Sequence, residues 1–153
     1  MILEIRRMVL IVSLMFWQGG FMFYGGVAVP EGGRILGSET KQGFITQAVT
    51  NYLNIAGAVC LTIWLEQLWH DRRNGVSKIE WGVWCINVGL LLVLIVVHAQ
   101  MDRVLSIQST AILDARWFDR FHKMYIGTST LQWMTSLVML FQTLRRWNSC
   151  VRA

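Results

Sequence analysis

A chain of 153 residues that is 54% hydrophobic and only 15% charged, with 8 Trp and a mean hydropathy of +0.45, lacks the composition of a water-soluble domain. The formal charge of +5 is divided among short basic clusters between apolar runs, so it marks the ends of membrane helices and excludes a continuous nucleic-acid face. Three cysteines, Cys60, Cys85 and Cys150, are an odd number without paired ligand spacing, which argues against a disulfide framework and a structural zinc site.

The first apolar stretch runs from Met8 to Val29. Its start, "MILEIRRMVLIVSLMFW", has the basic beginning and apolar core of a secretory leader. The run is too long and too bulky for one, and it has no small-x-small cleavage site, so it reads as a membrane helix. Gly19, Gly20, Gly25 and Gly26 would let a neighbouring backbone come close, and Pro30 stands where the helix is expected to stop. The second stretch runs from Phe44 to Leu68, the third from Trp81 to His98 and the fourth from Phe121 to Leu144. Each is about as long as the roughly 20 residues a membrane helix needs. The segments between them, "PEGGRILGSETKQG", "HDRRNGVSKIE" and "MDRVLSIQSTAILDARWFDR", carry the Gly, charge and hydroxyl groups of surface loops. In the last of these, Ile112, Leu113, Trp117 and Phe118 are expected to turn toward lipid. The expected architecture is all-α: one integral membrane four-helix bundle spanning residues 1–153.

Orientation follows from the basic residues. With both termini inside, Arg6, Arg7, Arg72, Arg73, Lys78, Arg145, Arg146 and Arg152 lie on the inner side. Arg34, Lys41, Arg103, Arg116, Arg120 and Lys123 lie outside. This bias of eight to six favours an N-in, C-in topology, in a bacterial inner membrane by expectation.

Polar residues within the apolar stretches define the candidate site. On the fourth helix His122, Tyr125, Ser129, Gln132 and Ser136 recur at steps of three and four and so share a face. On the second helix Gln47, Asn51 and Asn54 share another, flanked by Thr46 and Thr50. The third ends with His98 and Asp102 one turn apart, and the first carries Gln18 and Tyr24. These groups gather in the outer half of the bundle, leaving an inner half expected to be dry. Unpaired amides and imidazoles in hydrocarbon are costly, so they are expected to face the bundle interior or water. Two readings stay open: hydrogen bonds between helices as structural glue, or a cavity that receives a ligand.

His98 and His122 at one level are also candidates for haem ligation, and with Asp102 for a divalent metal. No P-loop, HExxH or GxSxG motif is present, so nucleotide and hydrolase chemistry of those kinds is not indicated.

"MFWQGGFMFYGGVAVPEGGRILG" and "RFHKMYIGTSTLQWM" are similar to the first and last helices of bacterial proteins related to the transmembrane protein 205-like family. The resemblance implies a four-helix integral membrane protein of unestablished activity. Gly19, Gly20, Pro30, Arg34, His122 and Ser129 fall on family-like positions, with no catalytic role attached. The function expected from all of this is a binding or accessory subunit of a membrane complex. Its alternatives are a small-solute or ion transporter and a haem- or quinone-binding redox protein.

Overall fold

The computed structural model describes residues 1–72, 75–103, 105–106, 111–112 and 115–152. Four helical rods are connected in sequence. The first is α1 (Ile2–Phe23), continued through a wide turn, Tyr24–Ala28, into α2 (Val29–Leu36). The others are α3 (Glu39–Asp71), α4 (Lys78–Asp102) and α5 (Ala115–Arg152). Between α4 and α5 two residue pairs form an antiparallel ribbon, β1 (Leu105–Ser106) against β2 (Ala111–Ile112), with Leu105 opposite Ile112. Leu113 and Arg73, placed above on a lipid-facing stretch and an inner loop, lie outside the described residues.

Three of the rods, Ile2–Leu36, Thr40–Asp71 and Lys78–Asp102, are long and apolar enough to cross a membrane. The chain is a multi-pass membrane protein built as a helical bundle. Its outward faces carry the large apolar side chains expected of a lipid-facing surface: Val12 and Phe16 on α1, Ile55 on α3, Leu92 and Val96 on α4, and Phe141 on α5. α5 is longer still, and its buried face carries Ser129, Gln132, Ser136 and Thr143.

Pro30 does not end the first helix. It lacks an N–H, and its ring would press on the carbonyl four residues back. The backbone widens by one residue to avoid this, with the Val29 N–H donating to the Tyr24 carbonyl five positions earlier. The rod then continues to Gly37, whose φ of 59° is the left-handed conformation that closes a helix. α3 and α4 each begin on a serine. Ser38 Oγ accepts from the Lys41 N–H, and Ser77 forms a reciprocal cap with Glu80.

The core is assembled from Leu10, Leu14 and Trp17 of α1, Cys60, Leu61, Trp64 and Leu68 of α3, Leu91 of α4, and Met139 and Trp147 of α5. α1 packs on α3, α3 on α4, and α4 on α5. The glycines that permit the closest approaches are Gly32 of α2, where a Cβ would collide with the Gln42 side chain, and Gly57 of α3. A Cβ at Gly57 would come within 2.8 Å of the Trp17 indole, whereas one at Gly19, Gly25 or Gly26 would meet nothing within 4 Å. The close packing expected of the first helix's glycines is thus supplied by Gly32 and Gly57, and Gly20 touches Leu53 at ordinary distance.

Salt bridges join Arg6 of α1 to Glu66 of α3, and Arg146 of α5 to Asp71 of α3 and Glu80 of α4. The N-terminus, the α3–α4 turn and the C-terminal part of α5 therefore share one end of the bundle, the terminal end. The α2–α3 turn and the ribbon mark the opposite, far end.

Candidate functional site

Buried polar side chains run along the bundle axis from one end to the other, in three groups. The far-end group is built around the wide turn of the first rod. Tyr24 donates its hydroxyl to Thr46 Oγ1 at 3.2 Å and accepts from Gln42 Nε2 at 3.4 Å, while Thr46 donates back to the Gln42 carbonyl. Below it lies a small cleft bordered by Gln18, Asn54, Tyr125, Ser129 and Gln132 among the apolar walls of Trp17, Phe21 and Leu94. Its volume of about 10 Å³ is room for the centre of about one water molecule.

The middle group centres on Asn87 of α4, which is fully buried. Its Nδ2 donates to the Val83 carbonyl at 2.9 Å, and its Oδ1 accepts from Thr135 and Ser136 at 3.0 and 3.1 Å. Gln132 Nε2 donates to the Asn87 backbone carbonyl, and Gln18 Nε2 donates to Ser136 Oγ, each at 3.1 Å. One amide thereby joins α4 to α5, and through Ser136 to α1. A side-chain amide offers two acceptor lone pairs and two donors, so the carbonyl oxygen is saturated here.

The terminal-end group is ionic. Arg146 bonds Glu80 through Nη1 and Asp71 through Nη2, the latter at 3.1 Å. All three side chains are no more than 6% exposed. Asp71 also accepts from Gln67 Nε2 at 2.7 Å, and the second Glu80 oxygen accepts the Ser77 N–H at 2.8 Å. A turn closer to the middle, Trp64 Nε1 donates to Thr143 Oγ1 at 3.2 Å. The Arg7 guanidinium lies 4.8 Å over the ring of Trp147, which binds α1 to the same end. Among the described residues, Arg146 Nε, Arg7 Nε and Trp147 Nε1 are buried without a hydrogen-bond acceptor.

The residues expected from the sequence divide into those that meet and those that do not. Gln18, Asn54, Tyr125, Ser129 and Gln132 converge on the small cleft, and Tyr24 is bonded just beyond it. Gln47 is half-buried and Asn51 is exposed. The inward face of α3 is rotated by a fraction of a turn from the expected one, onto Thr50, Asn54, Gly57, Leu61 and Trp64. His98 is buried, its ring 6.3 Å from that of Tyr125, and its Nε2 stands 3.6 Å from Asp102 Oδ2 without a hydrogen bond. His122 is exposed and stacks on Phe118 at 6.0 Å, so the stripe on α5 begins at Tyr125 and not at His122. The structure does not draw His98, Asp102 and His122 together. Among the described residues, no group of three or more His, Cys, Asp or Glu is placed to hold a metal ion.

Asn87, Gln67, Asp71, Glu80 and Arg146 were not among the expected residues, and they overturn the expectation of a dry inner half. Asn87 is a lone amide in the run "CINVGLLL", a signal that was present but had no partner in its own helix to draw attention to it. Asp71 and Arg146 read as loop charges. Their spacing was informative, since Asp71 follows Trp64 and Leu68 on one face and Arg146 follows Met139 and Thr143 on another. Compared with protein-family models, curated proteins and solved structures, the chain finds no match.

Proposed function

We propose that this chain is a binding or accessory subunit of a larger membrane assembly, with the far end on the outer side of a bacterial inner membrane and both termini inside. The observation that carries the reading is the state of the polar interior. Its groups are largely spent on one another, with Asn87 holding Thr135, Ser136 and Gln132, and Arg146 holding Asp71 and Glu80. The cleft beside Gln18 and Asn54 leaves room for about one water molecule, well short of the several hundred Å³ of a typical ligand pocket. A bundle of this kind holds its own shape and presents an extensive apolar exterior, with Phe16, Ile55, Val96 and Phe141 all more than half exposed. The resemblance to the transmembrane protein 205-like family belongs to the same proposal.

A second reading, a pathway for a small solute or ion, draws on the axial sequence of polar groups from Tyr24 to Arg146. It requires the Asn87 and Arg146 bonds to open in turn.

The test is extraction of the chain from its native membranes in a mild detergent, followed by measurement of particle mass and composition. An accessory subunit is expected in fixed stoichiometry with other polypeptides. Recovery of this chain alone, together with saturable solute flux in proteoliposomes, overturns the accessory reading in favour of transport.

A further inference from the structure

The displaced amide of α3 points to a partner. Asn51 lies about 4 Å along the helix axis from the middle of the uncharged run between Lys41 and Glu66, at 1.5 Å per residue. That is close to the centre of a hydrocarbon layer ~30 Å thick. It is exposed there, with no hydrogen-bond partner among the described residues. Two exposed threonines satisfy themselves, Thr62 donating to the Ala58 carbonyl at 2.8 Å and Thr130 to that of Ile126 at 2.9 Å, whereas Tyr52 beside Asn51 is exposed and, among the described residues, likewise has no hydrogen-bond partner. The short side chain of asparagine cannot reach the membrane surface from this depth. In lipid its donors and acceptor stay unpaired unless another polypeptide meets them.

The surroundings of Asn51 suit a helix. Ala48, Asn51, Ile55, Ala58 and Thr62 recur at steps of three and four, and all are exposed. Two alanines and a threonine keep the face low enough for backbones to approach, and the amide lies between them. No charge falls on this face between Lys41 and Glu66, so an identical face meets no like-charge repulsion there. Copies of one chain insert with the same topology, so a two-fold axis relating them runs along the membrane normal and brings like residues opposite each other. An amide is both donor and acceptor, and so is complementary to itself. We infer that the outward face of α3 is the contact surface for a second copy of this chain, with the two Asn51 amides hydrogen-bonded across that axis. The inference stands apart from the accessory role, because it concerns the purified chain alone.

Self-association of the full chain is measured by energy transfer between labelled copies in phosphatidylcholine vesicles, diluted over a range of protein-to-lipid ratios. The wild type is expected to dimerise. Asn51→Leu weakens the dimer about tenfold, at the strong end of interhelical amide pairs, whereas Asn51→Gln retains most of it. Thermal unfolding of each variant verifies that the monomer still folds. In parallel, Asn51→Cys in a Cys85→Ser, Cys150→Ser background cross-links on oxidation, leaving only the buried Cys60 as native thiol. Ile86→Cys, exposed on α4, stays monomeric in the same background. The inference is overturned if the chain is monomeric at every dilution, or if Asn51→Leu associates as well as wild type. It is also overturned if cross-links form at residue 86 and not at 51, or if in native membranes Asn51→Cys links only to a different polypeptide. A dimer that fails while co-purification succeeds leaves the accessory reading intact, and the reverse outcome separates them equally well.

Discussion

At the terminal end, one guanidinium lies between two buried carboxylates and ties α3, α4 and α5 together. At the far end a phenol, a threonine and a glutamine share weak hydrogen bonds beside a cleft the size of one water. Both ends are polar and enclosed, yet they respond differently to the loss of one member. A buried ion pair adds little net stability relative to a well-packed apolar alternative, but removing one partner strands a charge in a medium of low dielectric constant. A hydroxyl or amide pair in a membrane bundle contributes only about 0.6 kcal/mol on average, and its partner has water or another helix group to turn to. The terminal end is therefore a brittle clasp and the far end a compliant one.

The largest expected effect breaks the clasp. Arg146→Gln should lower the unfolding free energy in detergent by about 3–5 kcal/mol, because Asp71 and Glu80 lose their shared cation. Adding Asp71→Asn and Glu80→Gln to that variant should recover part of the loss. If the single substitution melts like wild type, the two ends do not differ in the way described. Next comes the middle group: with Asn87→Ala, Gln18 and Gln132 keep partners while Thr135 and Ser136 lose one acceptor each. A decrease of about 1–3 kcal/mol is expected from chemical unfolding. Tyr24→Phe at the far end removes the hydroxyl that donates to Thr46 and accepts from Gln42, and a change of about 1 kcal/mol, two pairs at about 0.6 kcal/mol each, would place the compliant end on the scale of ordinary interhelical pairs. A loss there as large as that of Arg146→Gln would erase the contrast. Smallest of all is His122→Ala. The ring is exposed and stacked on Phe118, so stability should stay within about 0.5 kcal/mol of wild type.

Much of this was visible in the residues. The apolar runs around Leu10, Trp64, Leu91 and Met139 announce helices of membrane length, and Ser38, Ser77 and Gly37 mark where three of the rods start or stop. The polar stripe Tyr125, Ser129, Gln132 and Ser136 follows from spacing alone, and the structure turns it inward. Pro30 was a fair stop signal that a local widening of the backbone overrode. Asn51 and His122 show where spacing runs out. Each shares a face with a buried residue, Asn54 and Ser129 respectively, but sits at the edge of that face, and a rotation of a few tens of degrees decides between interior and lipid.

That this chain folds as apolar helices connected by polar turns is legible in its residues, because hydropathy and capping are properties of a residue and its near neighbours. Which side of each helix faces in depends instead on packing between helices distant in the chain. Gly57 lets Trp17 seat against α3 on the face it shares with Thr50 and Asn54, which are buried, while Asn51 lies outward of it. The cation of the clasp likewise comes from far along the chain, Arg146 on α5 reaching Asp71 at the end of α3 and Glu80 at the start of α4, so the local spacing that puts Asp71 and Arg146 each on a buried face does not show that they meet.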